Sequence, residues 1–404
     1  MSYLKEIKNC EVCENTNLIE VLNIGHHPLC DDLVPIDSKR KCKSYPIVIL
    51  LCTNCYTAHQ KYQIDKKVLF PSNYHYRARF TKDVLNGMKS VVNDCKKTLL
   101  NLKNKKVIDI GCNDGSLLNL FAKKGCFTFG VEPTNAVFEA RESGHNVYNN
   151  YFDFKLAKKI VEEQGKFDVV VFTNVFAHID NLKNLLDATK LILKKNGLLI
   201  IENHYLGSIL NGNQFDTFYH EHPRTYSFTS FIHIAKSLNL KLTKIKFTKR
   251  YGGNIRVFLS NKKNNDKDKL EKLLNDEKDN IFILFKNMNK FIKNWKIESH
   301  IKFEKIIRDN GPVIAKAFPG RAAILIRLLG YDSDKIKAVY ERPGSLKINH
   351  FVPGTRIPIK SEKDLFDKKE KYSHILNLAW HISDEIKSYM KENNFDGKVI
   401  DIID

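Results

Sequence analysis

Lys106-Val-Ile-Asp-Ile-Gly-Cys-Asn-Asp-Gly-Ser116 opens with a short apolar run, breaks at Gly111, turns through Gly115 and passes into helical periodicity at Leu117–Phe121. The run Lys106–Ile110, rich in β-branched residues, reads as a buried parallel strand. A glycine-bearing turn between strand and helix lets the backbone approach a ligand closely and aims the first helical N–H groups at it. The nicotinamide and flavin fingerprint G-x-G-x-x-G requires a second glycine where Asn113 stands, so that pattern is not met.

Working outward, strand-like and helix-like stretches alternate. Phe127–Val131, Phe167–Thr173 and Leu198–Glu202 read as strands, Asn135–Glu142 and Asn181–Leu193 as helices. That alternation predicts an α/β layer architecture with a parallel sheet. Upstream, a helix is expected over roughly Thr81–Leu100. Downstream come a strand (Tyr251–Leu259), a Lys/Asn/Asp-rich hinge (Asn261–Asp268), a long helical stretch (Lys269–Arg308) and a last α/β segment with strands at Pro312–Ala315, Ile336–Tyr340 and Lys398–Ile403.

The N-terminal part is governed by cysteine. Cys10-Glu-Val-Cys13 and Cys52-Thr-Asn-Cys55 are two C-x-x-C knuckles. Four thiolates with no open position describe a structural zinc site standing in for a core too small to hold alone. Cys30 and Cys42, in the insertion between the knuckles, are the competing ligands. Short strands are expected at Leu18–Leu22 and Ile47–Leu51. With nine cysteines and no apolar run in Met1–Cys10, a disulfide framework and a secretory signal are both unexpected.

The 404 residues call for more than one core, and 43% hydrophobic with 28% charged residues exclude wholesale disorder. No run approaches the ~18 apolar residues of a membrane helix. The expectation is a cytoplasmic protein without a membrane partner. The net charge of +20 attracts anions, but the Lys and Asn excess is spread along the chain and forms no single basic stripe, so no nucleic-acid partner is expected.

The donor loop resembles the S-adenosylmethionine loop of class I methyltransferases, through Asp109-x-Gly111-x-Asn113-x-Gly115. Glu132, at the end of the next strand, would accept the ribose hydroxyls. Asp109 would brace the loop or bind the amino group, and Gly111 would make room for the methionyl end. The cofactor-binding candidates are Asp109, Gly111, Asn113, Gly115, Ser116, Glu132 and Asn174.

Three clusters lie where a substrate would meet the methyl: Asn174-Val-Phe-Ala-His178 after a strand end, Tyr219-His-Glu-His222, and Tyr74-His-Tyr-Arg77. Consecutive titratable side chains make poor core and poor inert loop. Histidine titrates near neutrality, and tyrosine donates to an oxygen gaining charge. The spacing H-E-x-x-H is absent, so a zinc protease is not indicated. The strand end Thr173-Asn-Val-Phe176 lacks the Asn/Asp-Pro-Pro-aromatic motif of enzymes that methylate base amino groups, which counts against a nucleic-acid methyltransferase.

In order, the two knuckles, Val107–Leu118, Phe176-Ala-His-Ile179, Asn213-Gln-Phe-Asp-Thr-Phe-Tyr-His-Glu-His222, Tyr251-Gly-Gly-Asn-Ile-Arg256 and Pro353-Gly-Thr-Arg-Ile-Pro358 resemble the sugar C-methyltransferases over nearly the whole chain. The resemblance implies a zinc-binding domain (1–78), a class I methyltransferase domain (79–268), and a helical brace with a second Rossmann-like domain (269–404). It implies S-adenosylmethionine and structural Zn2+ as cofactors, and a nucleotide-linked keto-deoxysugar as substrate. By the family's motif His222 would be the base. Tyr219 and Tyr76 would contact the enolate, His178 would hold the sugar, and Glu221 would orient His222. Three departures bear on the substrate: His204 where relatives often carry proline, Tyr251 where histidine is common, and Ala317-Phe-Pro-Gly-Arg321, a loose match to the loop expected to hold the sugar nucleotide. Methylation of oxygen or nitrogen in a sugar nucleotide or phosphorylated metabolite, for surface polysaccharide biosynthesis, is the alternative. The sequence leaves the oligomeric state open.

Overall fold

The computed structural model describes residues 4–70, 77–80, 82–262, 267–367 and 372–403. Contacts divide the chain into two units. The first comprises 1–20, 50–212 and 221–282, the second 21–49, 213–220 and 283–404.

The first unit is built on a seven-stranded sheet. In chain order its strands are β1 (Lys106–Ile110), β2 (Phe127–Val131), β3 (Asn146–Tyr148), β4 (Phe167–Thr173), β5 (Leu193–His204), β6 (Lys241–Thr248) and β7 (Asn254–Ser260). Their spatial order is β6-β7-β5-β4-β1-β2-β3. Strands β1 to β5 run parallel, whereas β7 is antiparallel to both its neighbours. The chain winds outward from β1 through β2 to β3, then returns to place β4 on the other side of β1. That reversal opens a crevice at the carboxyl ends of β1 and β4, where ligands of open α/β sheets bind.

The three apolar runs expected as strands at 106–110, 127–131 and 167–173 have those limits in the structure. Buried on both faces, they show continuous hydrophobicity rather than alternation. Helices cover the sheet, and short polar residues start them. Asp153 accepts from the Leu156 N–H (2.7 Å) to open Phe154–Gln164, and Asn181 from the Asn184 N–H (3.0 Å) to open Leu182–Ile192. Tyr251–Leu259 was expected as one strand, but β7 starts only at Asn254. Tyr251 at φ 53° and Gly253 at φ 128° form a turn that extended backbone cannot make.

The second unit has a five-stranded, all-parallel sheet: β8 (Val313–Lys316), β9 (Ile336–Glu341), β10 (Ile359–Ser361), β11 (His374–Asn377) and β12 (Lys398–Asp401). The order β10-β9-β8-β11-β12 again reverses beside its first strand. The long helix Lys267–Asn310 spans the expected brace. The expected hinge falls largely on residues 263–266, outside the described residues. No helix among the described residues is long and apolar enough to cross a membrane.

Candidate active site and zinc centre

In the donor loop, Gly111 (φ 73°) and Gly115 (φ 78°) occupy left-handed backbone. A Cβ at Gly111 would also run into the Val175 side chain. Glycine is therefore required at 111 both by conformation and by close approach to the turn after β4. Asn113 is likewise left-handed (φ 48°), and its side-chain oxygen accepts from the Ala78 N–H (3.0 Å). Asp114 accepts from the backbone N–H (3.1 Å) and hydroxyl (2.6 Å) of Ser116 and from the Arg79 N–H (2.9 Å). The segment before the first long helix thus pins the loop.

Glu132 lies just past the end of β2, 5% exposed. One carboxylate oxygen accepts from the Asn113 N–H (3.0 Å), the other from the Thr134 N–H (2.9 Å) and hydroxyl (2.6 Å). Donors to both oxygens fix the carboxylate plane while lone pairs remain for hydroxyls of a ligand. Asp109 is almost sealed from water (1% exposed), and one of its oxygens has no hydrogen-bond partner among the described residues. Burial, then the nearby Glu132 charge, pushes its carboxyl well above the usual range. A buried acid beside an orphaned oxygen suits a cationic amino group, so the cradle fits the cofactor it resembles.

Asn174, at the end of β4, is also left-handed (φ 55°) and gives its N–H to the Glu202 carbonyl (2.7 Å). Four residues on, His178 Nδ1–H donates to the Glu221 carbonyl (2.7 Å). Burial holds this imidazole down at about 4, against hydrogen bonds to the Glu221 and Asn174 carbonyls that raise it. His178 is therefore neutral near pH 7, with Nδ1 protonated and Nε2 left as the acceptor.

His178 stands in a row of rings, with Phe70 edge-on to it at 5.5 Å. Its centroid lies 4.7 Å from that of His222, which lies 5.2 Å from His204, which lies 5.5 Å from Tyr251. The row runs along the carboxyl ends of β4 and β5, beside the turn that packs on Gly111. In the sequence His204 and Tyr251 stand out only as departures from the family pattern, not as site residues. Their signal was positional: His204 closes a strand, and Tyr251 precedes two glycines at a turn. Glu221 and His222 are 5% and 4% exposed. Glu221 meets the site through its backbone carbonyl. Tyr219 belongs to the second unit and is half-buried. Tyr76, with Tyr74 and His75, lies outside the described residues.

Cys10, Cys13, Cys52 and Cys55 bring all four sulfurs within 4.8 Å of one another. The closest pairs are Cys10–Cys55 at 3.4 Å and Cys13–Cys52 at 3.5 Å. Zn–S bonds of about 2.3 Å give sulfur–sulfur edges of about 3.8 Å in a tetrahedron, so the four sulfurs fit zinc. Outer donors converge on them: His59 Nε2–H on Cys10 Sγ (3.3 Å) and the Asn54 N–H on Cys52 Sγ (3.4 Å). Cys30 and Cys42 lie in the second unit, outside this cluster, and Cys42 donates to the Asp32 carbonyl instead (3.2 Å).

Arg224, fully buried, ties the knuckle to the site. It donates to Glu11 between the first two cysteines, to the carbonyls of Ile179 and Asp180 (2.8 Å), and to the Tyr226 hydroxyl (3.0 Å). Burial opposes ionisation of Glu11, but Arg224 and Gln63 outweigh it and hold the carboxyl at about 2.

A donor cradle at the switch point of a sheet ordered 6-7-5-4-1-2-3, with an antiparallel seventh strand, defines an S-adenosylmethionine-dependent methyltransferase. Three family models match the chain end to end: "Putative zinc binding domain" over residues 10–70, "Methyltransferase domain" over 80–245 and "C-methyltransferase C-terminal domain" over 249–402. In this three-part organisation, a zinc-binding domain, a methyltransferase domain and a C-methyltransferase C-terminal domain, the chain is similar to the C-methyltransferases. C-methyltransferase NovU of Streptomyces niveus is 24% identical over 396 residues, covering 96% of this chain and 93% of NovU. The ubiquinone biosynthesis O-methyltransferase of Pelagibacter ubique is 27% identical over 101 residues, covering 25% of this chain and 42% of that enzyme. Among solved structures, magnesium protoporphyrin IX methyltransferase from Synechocystis PCC 6803 with bound SAM is similar over 44% of this chain and 82% of its own, at 16% identity and TM-score 0.34.

Proposed function

We propose that the protein methylates carbon beside the ketone of a nucleotide-linked keto-deoxysugar. The observation that supports this most directly is the row of imidazoles beside the donor loop. Carbon is a poor nucleophile until a neighbouring C–H proton leaves and an enolate forms. That step requires a base with a pKa near the working pH and donors aimed at the developing oxyanion. In this reading the His222 imidazole takes the proton, and the C–H electron pair moves into the enolate. Neutral His178 accepts from a sugar hydroxyl at Nε2, its ring fixed by the Glu221 carbonyl.

Asp109, Gly111, Asn113, Gly115, Ser116 and Glu132 would hold S-adenosylmethionine, which would supply an electrophilic methyl for the enolate carbon with S-adenosylhomocysteine as the leaving group. Zinc on the four thiolates supplies a cross-link between the knuckles. The second unit carries groups suited to a nucleotide. At its own switch point Arg321 pairs with buried Asp216 (3.3 Å) and donates to the Thr217 hydroxyl (2.8 Å), and Trp380 donates to Asp216 (3.1 Å). A guanidinium and an indole are the side chains that take a diphosphate and a base.

The test is incubation with methyl-labelled S-adenosylmethionine and a panel of nucleotide-linked keto-sugars, read by carbon NMR. The label should appear on a new carbon–carbon bond beside the ketone. Label on oxygen or nitrogen would replace this reading with the alternative.

A further inference from the structure

Glu202 is fully buried, with its carboxylate on Arg256 Nε (2.5 Å) and Arg250 Nη1 (3.5 Å). Both of its oxygens face N–H donors of the two guanidiniums and so act as hydrogen-bond acceptors. Asn254, also fully buried, stands opposite His204 in the β5–β7 register. Its amide nitrogen lies 3.2 Å from the Glu202 carboxylate and 3.0 Å from the Asn174 side-chain oxygen. Flipping the Asn254 amide would set its oxygen against a carboxylate, so its NH2 is fixed as the donor to both. Asn174 must then accept through its oxygen and turn its own NH2 away. That nitrogen is buried and has no partner among the described residues.

Asn174 and His178 belong to one turn, since the Asn174 carbonyl lies against the His178 ring. Their strand, β4, lies on the side of β1 away from Glu132 and β2, the adenosine side of the cradle. Accordingly, we infer that Asn174 donates through Nδ2 to the substrate oxygen that becomes the enolate oxygen. Asn254 is the positioning residue that makes Asn174 a donor. This assigns Asn174 to the substrate rather than to the methyl donor, and it rests on the enolate reading above. It also bears on the acceptor class. A fixed N–H donor suits a ketone or enolate and is mismatched to an amine, whose N–H groups need an acceptor.

The experiment follows deuterium wash-in beside the ketone of the keto-sugar that the wild-type enzyme methylates, together with the affinity for S-adenosylhomocysteine. Loss of one preorganised oxyanion donor costs about 10²–10³-fold in rate. Asn174→Ala and Asn174→Asp should both slow wash-in by about that factor, with S-adenosylhomocysteine affinity within about twofold of wild type. Asn254→Ala should slow wash-in by a smaller factor at unchanged KM, because Asn174 is then free to turn. Asn254→Ser, which restores a donor toward Asn174, should recover part of the rate. Full wash-in in Asn174→Asp would overturn the inference. So would a loss of S-adenosylhomocysteine affinity matching the loss of rate, which would return Asn174 to the methyl donor. Absence of wash-in in the wild-type enzyme would instead remove the enolate reading, and this inference with it.

Discussion

The rings of His178 and His222 stand 4.7 Å apart, centroid to centroid, tilted by 54°. Two protonated imidazoles at that spacing would repel, and His178 avoids this by staying neutral. In the proposed mechanism the pair divides labour, His222 taking the proton while His178 holds position. Replacing His222 by Ala should abolish deuterium wash-in beside the ketone, a loss of about 10²–10⁴-fold. His178→Ala should instead raise KM for the sugar more than it lowers wash-in at saturation. Retained exchange in His222→Ala would take the base role from it.

Gly111 makes a sharper test of the donor loop. Alanine there meets both a left-handed φ and the Val175 side chain. Left-handed backbone at a non-glycine residue costs of order 1–3 kcal/mol. Gly111→Ala should weaken S-adenosylhomocysteine binding at least about tenfold, measured by calorimetry. Adding Val175→Ala should recover part of the loss, since it relieves the clash and leaves the φ strain. If Gly111→Ala binds normally, the loop is not the cradle.

What the sequence made legible follows a physical line. Strands β1, β2 and β4 announced themselves because buried parallel strands are short runs rich in β-branched and aromatic residues. The knuckles did so because thiolate chemistry tolerates few spacings. Arg224, Glu202, Arg256 and Asn254 carried no role in the sequence because a buried charged or amide residue looks like a surface one until its partner is known. Their partners lie far off in sequence, as Glu11 does for Arg224 and Glu202 for Arg256. Strand β6, Lys241–Thr248, was missed for a related reason: as an edge strand it is mostly half-exposed and carries lysine at 241, 244 and 246. The helix Phe154–Gln164 was missed because its apolar stripe is narrow, with Leu156, Ala157 and Ile160 its buried residues.

Zinc content separates the knuckles from the other cysteines. Metal analysis should give one zinc per chain. Cys52→Ala should lose it and lower the melting temperature, because a four-thiolate site contributes folding energy directly. Cys30→Ala and Cys42→Ala should keep the full zinc content. Zinc that survives Cys52→Ala, or departs with Cys42→Ala, would displace the assignment.

Like His59, the imidazoles of His178 in the first unit and His220 in the second are held at about 4 by burial. Between that value and the ordinary value near 6.5 the unfolded chain binds protons that the folded chain refuses. Stability must therefore fall as pH drops through this window, and be regained above about 6.5. Thermal melts from pH 7.5 to 5 should show the midpoint declining. His220→Gln, which keeps a donor for the Tyr45 carbonyl and removes the titration, should flatten that decline in part. A midpoint independent of pH would contradict the buried, neutral state of both rings.

Arg224 is the strongest structural lever on the site, because one side chain serves both the metal knuckle and the loop that carries His178. Its guanidinium donates to Glu11 beside Cys10 and to the Ile179 and Asp180 carbonyls directly after His178. Removing one member of a buried ion pair costs about 3–5 kcal/mol, since the partner charge is left stranded. Arg224→Met should therefore destabilise the fold by about that amount in urea titration. It should slow methyl transfer even where the variant remains folded, while S-adenosylhomocysteine affinity, set by β1 and β2 on the other side of the sheet, changes little. The paired variant Arg224→Met/Glu11→Gln should recover stability by removing the stranded charge, but not activity, because the carbonyls after His178 would still lack their donor. Recovery of both together would mean that Arg224 acts on the fold alone and does not set the position of His178.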